Sequence, residues 1–355
     1  MKKNLRNILT LALGFVTIFA TAQSWDADSR TRVDMGGDND QFTTEQRTSL
    51  GVSWGGDGWG INVSGVHNYN LGTAAHTMDW NEAYATTDLM GYASVSVGRQ
   101  AHEYGGGQLI GANDWGSAPQ TRDGGLFSIA NDMMDLDLGV YRDNDGTADS
   151  TGTASETTSN YFINVSKSDG DWSVNLTYIS NSNEDNAMGL DFGYAMMSGD
   201  LDLALSYNTA TVGATDMDYM SIGATYNVND DLSISATRST SGDGGFAWGG
   251  SNYGSGTALE NWTDYGNMGN LSANDEDMSF GVSYAMGDFT LGLAMHKITN
   301  TGDGMDNYER NVTEANLGYT MSDNANVGIK YATDDNQFGA EVDNKYMWVT
   351  LNITP

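Results

Sequence analysis

The fold class predicted by this chain is a transmembrane β-barrel of about eighteen antiparallel strands. Three observations predict it. Segments of alternating polarity follow one another along the 355 residues, every second connection between them is very short, and aromatic residues recur at one end of the apolar faces. Outer-membrane barrels combine these features, with short periplasmic turns, longer outside loops and aromatic girdles at the interfaces.

The first five strands are expected over residues 24–35, 41–54, 59–70, 80–89 and 93–104, joined by GGDND, GGDG, a nine-residue stretch and MGY. Further on, the even-numbered connections stay tiny: ND after Ala130, DGD after Ser168, SGD after Met197, VNDD after Asn227, MGD after Ala285 and MSDN after Thr320. The odd-numbered ones are mostly longer, up to residues 241–275. Both chain ends are then expected on the periplasmic side. Eighteen segments fit this rhythm, and sixteen remain if the weak segments 122–130 and 188–197 are not strands.

Side chains alternate across a strand, so each segment has one apolar parity. Trp172, Val174, Leu176 and Tyr178 alternate with Ser173, Asn175 and Thr177. Phe289, Leu291, Leu293 and Met295 alternate with Thr290, Gly292, Ala294 and His296. A soluble β-sandwich also alternates, but it has no reason to keep every second connection short. Nor would it gather Trp25, Trp54, Trp59, Trp172, Tyr194, Tyr226, Tyr284, Phe289 and Tyr319 at the ends of strands on one side. Amphipathic rings do gather at membrane interfaces.

Composition agrees. Residues 1–22 read as a secretory signal: Lys2, Lys3 and Arg6 precede an apolar run at 8–19 and the small-x-small site Ala20-Thr21-Ala22. Residues 23–355 are then expected to form one barrel domain. That run is too short to span a membrane. The full chain carries a net charge of −32, and loss of three N-terminal cations makes the remainder more acidic. Nucleic-acid binding, which needs a basic stripe, is not expected. There are no cysteines, and the only prolines are Pro119 and Pro355, so no predicted strand loses a ladder bond to proline. Export together with the barrel pattern points to a bacterial outer membrane.

Charged residues sort by parity. Arg30, Arg32, Arg47, Arg310 and Lys330, with Arg122, fall on the inner parity. So do Asp26, Asp28, Glu45 and Glu82. One wall is expected to be basic and much of the rest acidic, a transverse field that orients polar solutes. The alternative is that these charges pair across strands and only solvate the wall. Arg99, Arg142, Arg238 and Lys297 have the outer parity at the extracellular ends of strands, where they are expected to meet lipopolysaccharide phosphates or to snorkel into water.

Residues 80–126 carry the most specific text: Glu82-Ala83-Tyr84, then Gly98-Arg99-Gln100, Tyr104-Gly105, Leu109-Ile110-Gly111, Trp115 and Asp123-Gly124. The set resembles the alginate-export-domain family of outer-membrane porins, over about an eighth of the chain. The resemblance implies an eighteen-stranded barrel, passage of polar and often anionic sugar-like solutes, and a loop after Tyr104 that folds toward the pore. Gln108 stands where that family commonly has Arg, and the chain ends on Ile353-Thr354-Pro355 without the usual terminal aromatic.

His67, His76 and His102 are expected near the outer rim, without the spacing of a zinc site. No serine, histidine and acid are singled out as a catalytic set, so no enzyme activity is expected. The acidic loops RDNDGTADS, NSNED, TGDGMDNYE and DDNQFGAEVD are expected to be solvated, with at most loosely held Ca²⁺ or Mg²⁺ and no other cofactor. The aromatics of the long loop, Phe246, Trp248, Tyr253, Trp262 and Tyr265, suit surface recognition or a lid. Two functional classes stay open: a passive channel for small polar solutes, and a structural or adhesive surface protein anchored by its barrel. Small inner-parity residues such as Gly193, Ala204, Gly223, Gly281 and Gly292 leave room for water and favour the channel. Membrane lipid and lipopolysaccharide are the expected partners, and homo-oligomers are left open.

Overall fold

A computed structural model describes residues 23–35, 43–74, 76–111, 120–143, 158–246, 248, 271–302, 309–336 and 342–354. Its strands are β1 (Gln23–Asp34), β2 (Thr43–Gly56), β3 (Trp59–Asn70), β4 (His76–Asp88), β5 (Ser94–Gln100), β6 (Arg122–Ala130), β7 (Asp135–Asp143), β8 (Thr158–Asp169) and β9 (Trp172–Asn181). They continue as β10 (Asn186–Met196), β11 (Leu201–Val212), β12 (Thr215–Asn229), β13 (Leu232–Ser241), β14 (Asp275–Met286), β15 (Phe289–Asn300), β16 (Glu309–Ser322), β17 (Ala325–Asn336) and β18 (Val342–Ile353). Each pairs antiparallel with its neighbours in sequence, and β1 also pairs with β18, which closes the sheet. Among the described residues, helical structure amounts to a single 3-10 turn at Met197–Gly199.

Both weak segments are strands, so the count is eighteen and not sixteen. Closure satisfies the backbone bonds that an open sheet edge would leave exposed. The seam is shorter than its neighbours. Ser29–Asp34 pair with Trp348–Ile353 in six rungs. The β1–β2 ladder has twelve, starting at Gln23.

Two boundaries differ by four residues from those read in the sequence, the others by no more than two. β4 begins at His76, not at residue 80, because the ladder shifts at Ser64/Gly65. Asn81 is the extra residue, and it swaps the faces: Trp80 is exposed while Glu82, two residues on, turns inward to bond Asn62. A bulge of this kind breaks a period-2 pattern. β5 ends at Gln100 and not at residue 104, because the chain turns into the barrel there. The alternation of short and long connections also relaxes in mid-chain, where Gly213-Ala214 alone joins β11 to β12.

The outer face is apolar. Leu203, Leu205, Tyr207, Leu291, Leu293 and Phe280 lie on it in cross-strand register. At the periplasmic end Phe289 and Tyr319 stack with ring centroids 4.6 Å apart, and Trp25, Trp59, Tyr194, Tyr226 and Tyr284 are exposed on the same band. The buried apolar cluster sits inside the barrel. Tyr141, Phe162, Ile179, Ala187, Ala210, Met217 and Tyr219 point inward from β7 to β12, and loop residues Leu109, Ile110, Phe246, Trp248 and Leu271 cover them. The inner parity is therefore not all small and polar: one side of the upper lumen is packed with bulky side chains.

Candidate channel lumen and its constriction

The segment 101–111 follows β5 and folds into the lumen, as the resemblance implied. It is held at several points. Ala101 N–H donates to Glu82 Oε1 at 3.1 Å. Arg122 Nη1 donates to the carbonyls of His102 at 3.3 Å and Gly111 at 3.2 Å. Tyr104 donates its hydroxyl to Asp137 Oδ2 at 2.8 Å. Gly106 N–H reaches the Asp191 carboxylate on β10. Gly105 has φ +59° and lies so close to Asp191 that a Cβ would overlap the carboxylate, so only glycine fits.

Packing adds to these bonds. Leu109 and Ile110 are buried in the apolar cluster. The Tyr104 ring sits 5.4 Å from Phe162 and is stacked on His102 at 6.2 Å. Burial and the nearby Arg122 charge push His102 down to about 4, against the weaker opposing pull of Asp137. Burial and the Asp137 carboxylate push the Tyr104 hydroxyl up. His102 therefore lies inside the barrel and not at the outer rim as expected. Phe246, Trp248 and Leu271 likewise pack against the inner wall, with Phe246 5.9 Å from Tyr219, so these aromatics are not offered to a surface partner. Tyr253, Trp262 and Tyr265 lie outside the described residues.

The opposite wall is basic. Arg30 and Arg47 face each other in register across β1 and β2. Arg30, Arg32, Arg47 and Lys330 line one cavity of about 540 Å³, in which Glu314 is the only carboxylate. The spacing of its ion pairs varies. Arg30 lies 3.6 Å from Glu45 and Arg47 3.7 Å from Asp28. Lys330 is 3.0 Å from Glu314. Arg310 forks onto Asp334 with bonds of 2.8 and 2.9 Å and is structural. An acidic cavity adjoins this wall, lined by Asp26, Asp28, Glu82 and Arg47. A third, of about 560 Å³, lies below the in-turned segment between Gly105, Gly106 and the polar inner faces of β9–β12, with Asn175, Asp191 and Ser206 among its lining.

Family-motif residues split between wall and constriction. Gly98, Arg99 and Gln100 are on β5, and Asp123 and Gly124 on β6. Tyr104, Gly105, Leu109, Ile110 and Gly111 form the in-turned segment, and Trp115 lies outside the described residues. Gly98 has φ +135°, and a Cβ there would strike Ala83 and Tyr84, which explains the glycine. The outer-parity cations each meet an acidic neighbour. Arg99 forks onto Asp123 at 2.7 and 2.8 Å, Arg238 onto Glu276 at 3.1 and 2.7 Å, and Lys297 lies 3.2 Å from Glu309. Arg142 stands opposite Asp123 in register. Among the described residues no group of three or more His, Cys, Asp or Glu is placed to hold a metal ion. In the acidic loop NSNED, Asp185 is engaged by Asn181 Nδ2 and Gly213 N–H.

Neither a family model nor a curated protein matches the sequence. Solved structures do resemble the fold. OccK5 (OpdH) of Pseudomonas aeruginosa aligns with a TM-score of 0.74 at 13% identity, over 95% of this chain and 99% of its own. OccAB2 of Acinetobacter baumannii gives 0.73 at 13%, over 95% and 98%. OpdK of Pseudomonas aeruginosa with vanillate gives 0.71 at 12%, over 94% and 99%. The architecture is that of the eighteen-stranded Occ/Opd outer-membrane porins. These matches do not extend to the alginate-export family.

Proposed function

We propose that this chain is a bacterial outer-membrane diffusion channel for small polar solutes, and that the solutes it favours carry a carboxylate, as sugar acids do. One observation carries the reading. In a chain of net charge −32, one lumen cavity is lined by Arg30, Arg32, Arg47 and Lys330, with Glu314 in the same lining and Glu45 and Asp28 paired to two of the arginines. Opposite it stands a constriction held to the far wall, so a passing solute is squeezed toward the cations. Guanidinium groups match carboxylates in geometry as well as charge. The OpdK structure with vanillate, itself a carboxylate, supports the same class. The motif in residues 80–126 is further support for uronate-like solutes.

Arg99, Arg142, Arg238 and Lys297 are proposed to meet lipopolysaccharide at the outer rim. Their carboxylate partners could share bridging Ca²⁺ or Mg²⁺ with it.

The test is single-channel recording of the refolded protein in a planar bilayer, with vanillate or glucuronate added on one side. Brief carboxylate-dependent blockades are expected. They should weaken in the triple variant Arg30→Gln, Arg47→Gln, Lys330→Gln. A folded barrel without conductance would replace the channel reading by that of an anchored surface protein.

A further inference from the structure

The chain has four histidines, and the structure brings two of them together on the outside of the barrel. His67 is on β3 and His76 opens β4. The register pairs His67 with Met78 and Tyr69 with His76, so the two imidazoles are diagonal neighbours. Diagonal positions on an antiparallel pair lie within reach of long side chains. Their ring centroids are 5.7 Å apart at an interplanar angle of 63°. His76 and His67 share the face of Trp80 and Met78, which point away from the lumen. The other two histidines are elsewhere: His102 is packed inside against Phe162, and His296 bonds Asp277 at 2.8 Å.

We propose that His67 and His76 form a two-imidazole site for a borderline divalent transition cation, Cu²⁺ or Zn²⁺, at the extracellular rim. Imidazole nitrogen binds zinc at about 2.0–2.1 Å, which places the metal about 3.2 Å from each ring centroid. Two rings bound to one ion at an angle between tetrahedral and linear therefore have centroids roughly 5–6 Å apart, and the observed separation falls within that span. Neutral imidazole suits Cu²⁺ and Zn²⁺, and does not suit Ca²⁺ or Mg²⁺, which take oxygen ligands. With two protein ligands, water completes the shell, so the ion exchanges readily. The bound ion cross-links β3 to β4 just beneath their connecting loop.

The experiment is electron paramagnetic resonance of the refolded protein in detergent with one equivalent of Cu²⁺. The expected spectrum shows superhyperfine coupling to two nitrogens. His67→Ala and His76→Ala should each lose it, while His102→Ala keeps it. His76 is exposed, so its removal leaves packing intact, and heat-modifiable gel migration confirms that each variant is folded. A parallel thermal unfolding series with Zn²⁺ should raise the transition of the wild-type barrel and leave the double variant unmoved. A two-nitrogen signal that persists in the double variant, or a wild-type spectrum without it, overturns the site.

Discussion

Removing one oxygen atom should loosen the constriction. Tyr104 donates to Asp137 at 2.8 Å and, through its ring, packs on Phe162. Tyr104→Phe keeps the ring and deletes the bond. A hydrogen bond to a charged group contributes about 1.5–3 kcal/mol net. Asp137 faces a wet lumen and regains water when the bond is gone, so the lower end applies. About 1.4 kcal/mol is a tenfold change in an equilibrium. The undocked population of the in-turned segment should therefore rise about tenfold. The Asp191 bond to Gly106 and the burial of Leu109 and Ile110 still oppose undocking, so the docked state remains dominant. The assay is single-channel recording, scored as the fraction of time spent in a larger-conductance level. Tyr178→Phe, on the outer face, is the control. If Tyr104→Phe and the control leave the same dwell histogram as wild type, the hydroxyl does not hold the constriction.

Acid should act on the same segment through His102. Its pKa in the docked state is lowered to about 4, so the undocked loop takes up a proton first. Docking is therefore strongest above about pH 6.5, weakens as pH falls toward 4 and changes no further below that; larger conductance levels near pH 4.5, abolished by His102→Gln, would confirm it, and a flat pH response would refute it. Two adjacent arginine substitutions test the assignment of faces. Leu205→Arg on the outer face should cost about 2–4 kcal/mol in unfolding titrations, whereas Ala204→Arg on the inner face should fold normally and shift ion selectivity toward anions. Arg310→Ala strands the buried Asp334 carboxylate, and loss of one partner from a buried pair costs about 3–5 kcal/mol. Asp334→Asn in that background should recover much of the loss in melting temperature.

Much of this structure was legible because a strand has a period of two. Parity alone put Arg30, Arg32, Arg47 and Lys330 on one inner wall, and connection lengths gave the strand count. Parity could not decide how each cation is paired. Arg310 forks onto Asp334 while Arg30 and Arg47 meet Glu45 and Asp28 at 3.6 and 3.7 Å, a difference of side-chain reach and not of pattern. The start of β4 was hidden because Asn81 inverts the alternation. The docking of residues 101–111 was suggested by glycines and by family resemblance. Its partners, Asp137 and Asp191, are distant in sequence and carry no local signal. His102 was misplaced for the same reason: its fate depends on where β5 stops, at Gln100, a boundary that the apolar rhythm overran.

The seam between β1 and β18 gives the ring a line of weakness. Six rungs join the first strand to the last, as few as join β4 to β5, against twelve between β1 and β2. A closed hoop shares strain around its whole circumference, and it yields where its cross-section is thin. The β4–β5 step is backed by the in-turned segment, whose Ala101 N–H bonds Glu82, so thermal breathing and the final act of assembly should both favour the seam. Amide protons of Ser29–Asp34 facing β18 should exchange with solvent before those of the twelve-rung ladders β1–β2 and β17–β18. A cut made elsewhere in the wall, with the present ends joined, would move that gate without altering a single inner side chain.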